Sequence, residues 1–472
     1  MAPHVGLRRR RGEEDLRQGP GGLPRGPDVP ARAPRRGRAG ARPAVRHADG
    51  GAPLELHDPA DHRHRRPRRT GAARRQRGRP GRRTADARTG PVAADLPGLA
   101  GRSGLVSAPE SRGDRLDALA KKKGLDALVV TNLHDIRWLT GFTGSNAVVV
   151  VGRDSEGDPV RRFITDFRYV AQAEDQVPEP WQRIDGGRDL GGAGLAAHLP
   201  HGVKKVGFDD AQLTVAAHRR LKNAVEIGQE LVPAQGLVSG LRAVKDPSEL
   251  SAIRAASELA DAAFVEVVLE GGVVGRTERE LGLRLETRLR ELGASGNSFD
   301  PIVAFGAHGA LPHASPRDEV IPKDVLLTVD WGCILDGYCS DCTRTVATGT
   351  VGDEARGVYE LVLDAQKQSL AAVKAGADAR AIDKVAREII AAGGHGDHFG
   401  HGLGHGVGLE VHEAPTLSPR GQGALVAGQI VTVEPGVYVP GHHGVRIEDL
   451  VAVTDDGSDV FTTVSKDLIE VS

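Results

Sequence analysis

A change of composition near residue 100 limits which part of this 472-residue chain can fold around a hydrophobic core. Residues 1–100 contain 24 Arg, 13 Pro and 15 Gly but no Lys, Ile, Phe, Tyr or Trp. Such a segment cannot bury enough apolar surface to offset the entropy that a chain loses on folding. We therefore predict that residues 1–105 form a disordered, Arg/Pro/Gly-rich extension.

The net charge changes sign at the same boundary. Residues 1–100 hold 24 basic and 10 acidic residues, a charge of +14, whereas the remainder holds 38 basic and 53 acidic residues, a charge of -15. A basic arm could bind nucleic acid by neutralising phosphates. Because no aromatic residue lies among the arginines and Lys is absent, we favour a non-native extension, such as translation from an upstream start, and predict no nucleic-acid partner.

Hydropathy and cysteine usage indicate the compartment. No run in residues 101–472 approaches the roughly 18 apolar residues of a membrane span, and no apolar run of a secretory signal follows Met1. Cys333, Cys339 and Cys342 are an odd number of thiols within ten residues, which favours free thiols in a reducing compartment. We predict a soluble, cytoplasmic protein without a membrane partner.

Residues 106–238 alternate short β-rich and helical patterns, which predicts a small α/β domain. A linker is predicted at 232–240. The other predicted elements are helices at 115–123 and 213–221 and strands at 125–131, 146–152, 162–165 and 203–209.

Residues 239–472 begin with a strong helix start. Asp246 is a candidate N-cap, Pro247 the first helical residue and Glu249 the third. Helical and β-rich patterns then occur in groups, which predicts an α+β domain. The predicted helices are 247–269, 278–292, 354–375 and 379–392, and the predicted strands are 302–305, 325–331, 343–348, 430–435 and 445–453.

Two aspartates lie around a predicted hairpin. Asp336 and Gly337 form a typical two-residue turn, which places Asp330 opposite Thr343 and puts Asp341 diagonally across on the same face. Two carboxylates in an apolar setting repel each other unless a proton or a metal lies between them. The alternative is that one of them is a turn or edge residue in water.

Further carboxylates occur near the C-terminus. Glu434 ends an apolar strand, and Arg446 and Glu448 share one face of another by the period of two. A buried glutamate is costly unless it is paired or binds a metal. The glycine-rich segment 399–415 contributes His405. One histidine with four carboxylates suits Mn²⁺ and similar cations, in the two-ion arrangement used for hydrolysis, and predicts a metal-dependent hydrolase.

These residues resemble a known family. The chain is similar to the pita-bread metallopeptidases, which include aminopeptidase P, prolidase and methionine aminopeptidase. The resemblance covers 241–472 through its motifs, and 111–235 more loosely resembles the N-terminal domain of the creatinase branch. It implies a pita-bread catalytic domain at 239–472 after a smaller creatinase-type α/β domain. The order and neighbours of five residues carry it: Asp330, Asp341, His405, Glu434 and Glu448.

The resemblance also implies roles for the five residues. Asp330 and Asp341 would hold one divalent ion, and His405 and Glu434 the other, while Asp341 and Glu448 bridge the two. Mn²⁺ is expected, with Co²⁺, Zn²⁺ or Fe²⁺ as alternatives. A metal-bridging hydroxide would attack the scissile carbonyl, and Glu434 would transfer its proton to the leaving nitrogen.

Other residues match supporting positions of the family. His313 and His412 match two catalytic histidines, His401 a position in the substrate pocket, and Arg446 a residue that braces a metal-bridging carboxylate. Thr343 is placed to bond a ligand carboxylate. The residues alone favour a simple loop residue at His313, and they allow Arg446 as an ordinary salt-bridge partner of Asp449 or Glu448 and Thr343 as a strand former.

The resemblance narrows the activity to Xaa-Pro bonds. The full ligand set disfavours a metal-free C–N hydrolase, and the domain at 111–235 disfavours a methionine aminopeptidase. We predict an aminopeptidase that acts on peptides with proline at the second position, in a homodimer or homotetramer. The alternatives are an Xaa-Pro dipeptidase (prolidase), which needs a basic group for the substrate carboxylate, and a non-catalytic binding protein on the same fold.

Overall fold

The computed structural model describes residues 111–472. The predicted extension at 1–105 and the first residues of the predicted α/β domain lie outside the described residues. Within 111–472, none of the helices combines the length and the apolar character needed to cross a bilayer.

A six-stranded mixed sheet forms the centre of the first domain. In chain order the elements are α1 Arg112–Lys122, β1 Ala127–Val130, α2 Leu133–Thr140, β2 Ala147–Arg153, β3 Pro159–Thr165, α3 Val170–Gln176, β4 Gln182–Asp185, α4 Ala193–Ala196, β5 Lys205–Phe208, α5 Val215–Ala224, β6 Glu230–Pro233 and α6 Leu237–Arg242. The strand order in the sheet is β4-β3-β2-β1-β5-β6. Strand β1 pairs antiparallel with β2 and parallel with β5, so the predicted α/β class is confirmed.

Both faces of this sheet are buried because β1 is apolar throughout and β2 is apolar up to its last residue, the exposed Arg153. Along β1, Ala127 and Val129 face the α4 and α5 side, whereas Leu128 and Val130 face α1 and α2. The β-branched residues of β2 continue the same alternation. Burial on both sides fixes the register, since a shift of one residue would exchange the two faces.

The linker predicted at 232–240 is wrong. Its first residues complete the edge strand β6, and its last residues lie in α6. Leu237 and Val238 are buried in the core of the first domain. Gly236, with a φ of 78°, begins a short helix within the segment predicted as a linker.

The second domain combines helix pairs with several small antiparallel sheets, as predicted for an α+β domain. The helix predicted from Pro247 ends in a π-helical turn at Val265–Leu269. In chain order the elements are α7 Pro247–Phe264, α8 Glu278–Glu291, β7 Gly296–Asn297, β8 Ile302–Phe305, β9 Leu326–Trp331, β10 Cys333–Leu335, β11 Tyr338–Cys339, β12 Cys342–Ala347, α9 Asp353–Ala371, α10 Ala379–Ala392, β13 Gly404–Gly406, β14 Glu413–Leu417, β15 Ile430–Val433, β16 Gly436–Val439, β17 His443–Arg446, β18 Asp449–Val453 and β19 Ser458–Val460.

Helices α7 and α8 cover one face of β8, β9 and β12, and α9 and α10 cover β15 to β18. Leu327, Val329 and Trp331 of β9 pack against the first helix pair. By the period of two, Thr328 and Asp330 point away from these helices. The strands therefore present their polar residues on the face opposite the helices.

The predicted hairpin is confirmed. Asp336 and Gly337 both have positive φ, 49° and 84°, as a type I′ turn requires. Thr343 pairs with Asp330, and the pairing of Ile334 with Cys339 continues the same register. The positions of Asp330 and Asp341 on one face follow from this turn.

The strand predicted at 445–453 is wrong as a single element. It breaks at Ile447 and Glu448 into β17, which pairs with β16, and β18, which pairs with β15. The break releases the backbone of Glu448 from both ladders, and its N–H instead donates to the carbonyl of Thr343 at 3.1 Å. The interruption directs the Glu448 side chain toward Asp330 and Asp341.

Candidate metal centre

Three buried carboxylates meet on the polar face of the hairpin. Oxygen atoms of Asp330, Asp341 and Glu448 lie within 4.8 Å of one another. Asp330 Oδ1 and Glu448 Oε1 are buried and have no hydrogen-bond partner among the described residues. Burial and repulsion from neighbouring carboxylates raise the pKa of Asp341 and Glu448 well above their usual values. A cation would satisfy the unpartnered oxygens and remove the repulsion, so the donor set fits a divalent metal.

His405 and Glu434 complete the cluster from the other half of the domain. His405 Nε2 lies 3.3 Å from Glu434 Oε1 and 3.6 Å from Asp341 Oδ2. His405 Nδ1 lies 3.1 Å from the carbonyl oxygen of Gly406, so a ring with its only proton on Nδ1 would present the lone pair of Nε2 to a metal ion. This is the orientation that metal-binding histidines have.

Glycines allow the strand that carries His405 to approach its neighbours. A Cβ added at Gly404 would lie 2.0 Å from the carbonyl oxygen of Thr432, and one added at Gly406 would lie 2.2 Å from that of Ala414. The main-chain N–H of Glu434 donates to the carbonyl of Leu403 at 2.8 Å, just beyond the end of β15. Glycine at these positions is therefore what brings His405 and Glu434 together.

Arg446, expected to brace a metal-bridging carboxylate, contacts the acidic cluster through Asp330. It donates through Nη2 to Asp330 Oδ2 at 2.5 Å and through Nε to Thr343 Oγ1 at 3.0 Å. Thr343 in turn donates to Glu448 Oε2 at 2.8 Å. Arg446 thus bonds directly to Asp330, and it reaches Glu448, an expected bridging carboxylate, only through Thr343. The partners proposed from the residues alone, Glu448 and Asp449, are not its direct partners.

The carboxylates open into a cavity of about 480 Å³. His313, His401 and His412 line it together with four of the five candidate ligands, which are Asp330, Asp341, His405 and Glu434. The rings of His405 and His412 are 4.4 Å apart between centroids. Burial, followed by repulsion from His405, lowers the pKa of His412. An apolar wall completes the lining and consists of Phe299, Pro301, Ile302, Pro316 and Val411.

Sequence reasoning missed Tyr438. Its hydroxyl accepts from Arg446 Nη1 at 2.8 Å and lies 2.9 Å from His401 Nε2, so it links the two sides of the cavity. The only signal in the sequence that could have found Tyr438 is the period-two alternation of side chains along β16. The buried group of Asp135, Arg242 and Glu413, described below, was also missed, because its members are far apart in the chain.

The chain matches two family models. The creatinase/prolidase N-terminal domain matches residues 112–244, and metallopeptidase family M24 matches residues 251–455. The peptidase YqhT of Bacillus subtilis is 38% identical over 358 residues, which are 75% of this chain and 99% of the relative. The chain belongs to metallopeptidase family M24.

Solved structures of M24 relatives superpose on the same part of the chain. An Xaa-Pro dipeptidase from Bacillus anthracis is 38% identical with a TM-score of 0.72, over 76% of this chain and 99% of that one. An X-Pro aminopeptidase from Thermotoga maritima is 33% identical with a TM-score of 0.68, over 75% of this chain and 100% of that one. The predicted pita-bread fold with a creatinase-type first domain is therefore confirmed.

Proposed function

We propose that this M24 metallopeptidase hydrolyses Xaa-Pro dipeptides. The observation that carries the proposal is its 38% identity to the Bacillus anthracis Xaa-Pro dipeptidase over nearly the whole of that chain. The aminopeptidase preferred from the sequence has weaker support, because the X-Pro aminopeptidase relative is 33% identical. The alternative named from the sequence thus becomes the main hypothesis.

The acidic cluster would hold two divalent ions. The side chains that would hold these ions are Asp330, Asp341, His405, Glu434 and Glu448. When bound, such ions activate water and polarise a carbonyl oxygen at neutral pH. The unpartnered oxygens of Asp330 and Glu448 support this assignment, and Mn²⁺ is the proposed metal because oxygen donors predominate.

Glu434 is the proposed proton carrier. It lines the cavity, where its Oε1 accepts from Thr432 Oγ1 at 3.2 Å. Burial alone would raise the pKa of Glu434, but the hydrogen bond and the charge of His405 lower it, so the carboxylate is charged. In the proposed reaction this carboxylate would take a proton from the attacking water. It would return that proton to the proline nitrogen, which has no N–H of its own and must gain a hydrogen to leave as an amine.

The cavity histidines and the apolar wall would orient the substrate. His313 and His412 stand on separate loops at the cavity, where their N–H groups can donate to the carbonyl oxygen and to the charge that develops on it. Phe299 and Ile302 of the apolar wall offer a surface for the proline ring. Binding on two sides would fix the scissile bond over the acidic cluster.

One observation favours the aminopeptidase as a second candidate. A dipeptide presents a carboxylate directly after proline, and its recognition needs a cation. Among the described residues that line the cavity, Arg446 is the sole arginine, no lysine is present, and Arg446 is already bonded to Asp330. A longer peptide has no carboxylate at this position and needs no such cation.

Hydrolysis of matched peptides tests the proposal. Protein loaded with Mn²⁺ is given Ala-Pro, Ala-Pro-Ala and Ala-Ala, and the released alanine is quantified by chromatography. Higher kcat/KM for Ala-Pro than for Ala-Pro-Ala supports the dipeptidase, and the reverse order supports the aminopeptidase. Glu434→Gln protein prepared in parallel controls for contaminating peptidases. Failure of the metal-loaded protein to cleave either proline peptide would refute both candidates.

A further inference from the structure

The carboxylate of Glu278 joins two distant points of the main chain. Glu278 is the first residue of α8 and is 0% exposed. Its Oε1 accepts the main-chain N–H of Phe305 at 3.2 Å, and its Oε2 accepts the main-chain N–H of Arg317 at 2.9 Å. A single side chain thus binds both ends of the loop between these two residues.

Two side chains surround the same carboxylate. His308 Nδ1 lies 2.9 Å from each oxygen of Glu278, and Arg317 Nε donates to Oε2 at 3.2 Å. Burial would raise the pKa of Glu278, but the hydrogen bonds from Arg317 and His308 lower it overall. The carboxylate is therefore held in its charged form, and its acceptor capacity is used mainly by the loop.

The loop held by Glu278 carries one of the cavity histidines. It begins with a 3₁₀ turn at Gly306–Ala310 and continues through His313, which lines the cavity together with its neighbours Pro312 and Ala314. The carbonyl of Pro312 also accepts from Arg446 Nη1 at 3.2 Å. Residues 311–316 belong to no helix or strand, so the position of His313 depends on anchors such as these, together with the hydrogen bond from the main-chain N–H of Arg279 to the carbonyl of Arg317 at 3.0 Å.

We propose that Glu278 is a positioning residue that fixes His313 in the cavity by fastening both ends of its loop. Glu278 itself does not line the cavity. This inference rests on the proposed peptidase activity and on the role proposed there for His313. A loop anchored at both ends has few conformations, and a displacement of a reacting group by about 1 Å can lower a rate about 10²-fold.

A purely structural role predicts a different result. Glu278 also lies in the first turn of α8, where a carboxylate stabilises the positive end of the helix dipole. Loss of that interaction would lower stability without lowering the turnover of the folded protein. The two roles are therefore separated by kcat at a temperature well below unfolding.

Glu278→Gln is the main test, because it keeps the side-chain size but turns an NH₂ group toward hydrogen-bond donors. We expect kcat to fall about 10- to 100-fold with KM changed less than about 3-fold. In a His313→Ala background the same substitution should lower kcat less than about 3-fold, because His313 is already removed. Hydrogen exchange of peptides spanning 305–317 should be faster than in the wild type.

Asp261→Asn is the matched control. Asp261 is a buried carboxylate that accepts the main-chain N–H and the hydroxyl of Thr463 and does not line the cavity. It should lose stability but keep the wild-type kcat. Should Glu278→Gln not fold, Arg317→Gln removes donors from the same carboxylate at a side chain that is 38% exposed, and kcat should then fall about 3-fold or more.

Three results would overturn the proposal. The first is that Glu278→Gln has the same kcat as Asp261→Asn. If Arg317→Gln replaces Glu278→Gln, the same comparison applies to it. The second is an equal loss in the wild-type and His313→Ala backgrounds. The third is unchanged hydrogen exchange at 305–317. If the wild type cleaves no proline peptide, the proposed function fails, and the hydrogen-exchange comparison alone then decides whether Glu278 fixes the loop.

Discussion

The buried arginine Arg242 offers the sharpest test of what holds the two domains together. Its side chain is 2% exposed and donates to Asp135 of α2 at 2.6 Å and to Glu413 of β14. Lys245 also contacts Glu413, at 3.2 Å. Glu413 directly follows His412, so this ion group connects the first domain to the segment that carries a cavity histidine.

Arg242→Met should cost about 3 kcal/mol of stability at pH 8. Breaking a buried ion pair by removing one partner costs about 3–5 kcal/mol, because a buried charge is left unpaired. Glu413 would keep Lys245, whereas Asp135 would have no other ion-pair partner among the described residues. We therefore expect the lower end of that range.

The stability lost in Arg242→Met should depend on pH. Burial raises the pKa of Asp135 to about 6, although Arg242 opposes the shift. A carboxyl whose folded pKa is raised stabilises the protein fully below its unfolded pKa of about 4, and that contribution is lost as the pH rises through about 6. Without Arg242 the folded pKa rises further. The cost of Arg242→Met should therefore be smaller at pH 5 than at pH 8.

Urea unfolding followed by tryptophan fluorescence measures both effects, since Trp138 lies in α2 beside Asp135. Arg153→Met removes an arginine that is 44% exposed and pairs with Asp117 at 2.7 Å, and it should cost less than about 1 kcal/mol. Adding Asp135→Asn to Arg242→Met should recover about 1 kcal/mol at pH 8. Two results would refute this reasoning. One is a loss of unfolding free energy for Arg242→Met that is no larger than the loss for Arg153→Met. The other is a double variant that is less stable than Arg242→Met.

Three further predictions concern the cluster and the extension. Glu434→Gln should lower kcat about 10²-fold or more in a steady-state assay with Ala-Pro, because proton transfer is lost; wild-type turnover would contradict this role. Burial and mutual repulsion raise the pKa of Asp341 and Glu448, so metal-free protein should lose thermal stability as the pH rises from 5 to 8, and Mn²⁺ should restore it; a pH-independent midpoint would count against this. Deleting residues 1–105 should leave peptidase activity and the thermal midpoint nearly unchanged, and a loss of either would show that the extension contributes.

The parts of the fold that the sequence predicted are those with local causes. The hairpin follows from two residues, Asp336 and Gly337, and its register places Asp330 and Asp341 without knowledge of any other element. The start of α7 is equally local, since Asp246 and Glu249 form a capping box. Such features depend on neighbours in the chain, so a single sequence contains their cause.

The features that the sequence did not predict depend on distant partners. The break at Glu448 exists because β17 and β18 pair with different strands, and the run 445–453 reads as continuous in isolation. Arg446 donates to four acceptors, among them Asp330, 116 residues away, and only packing brings them together. Tyr438 acquires its role from the same packing, because its hydroxyl lies between Arg446 and His401.

The candidate metal ligands in strands and the cavity histidines in loops are held in place in different ways. Asp330 and His405 stand in paired strands, where the ladder fixes the backbone. His313 and His412 stand outside paired strands, and the segment of each is fastened by a buried carboxylate: Glu278 for the first and Glu413, paired with Arg242, for the second. Changes at these two carboxylates should therefore lower turnover while the protein keeps its metal, whereas changes in the strands should release the metal. Metal content measured beside kcat distinguishes the two supports within one set of variants.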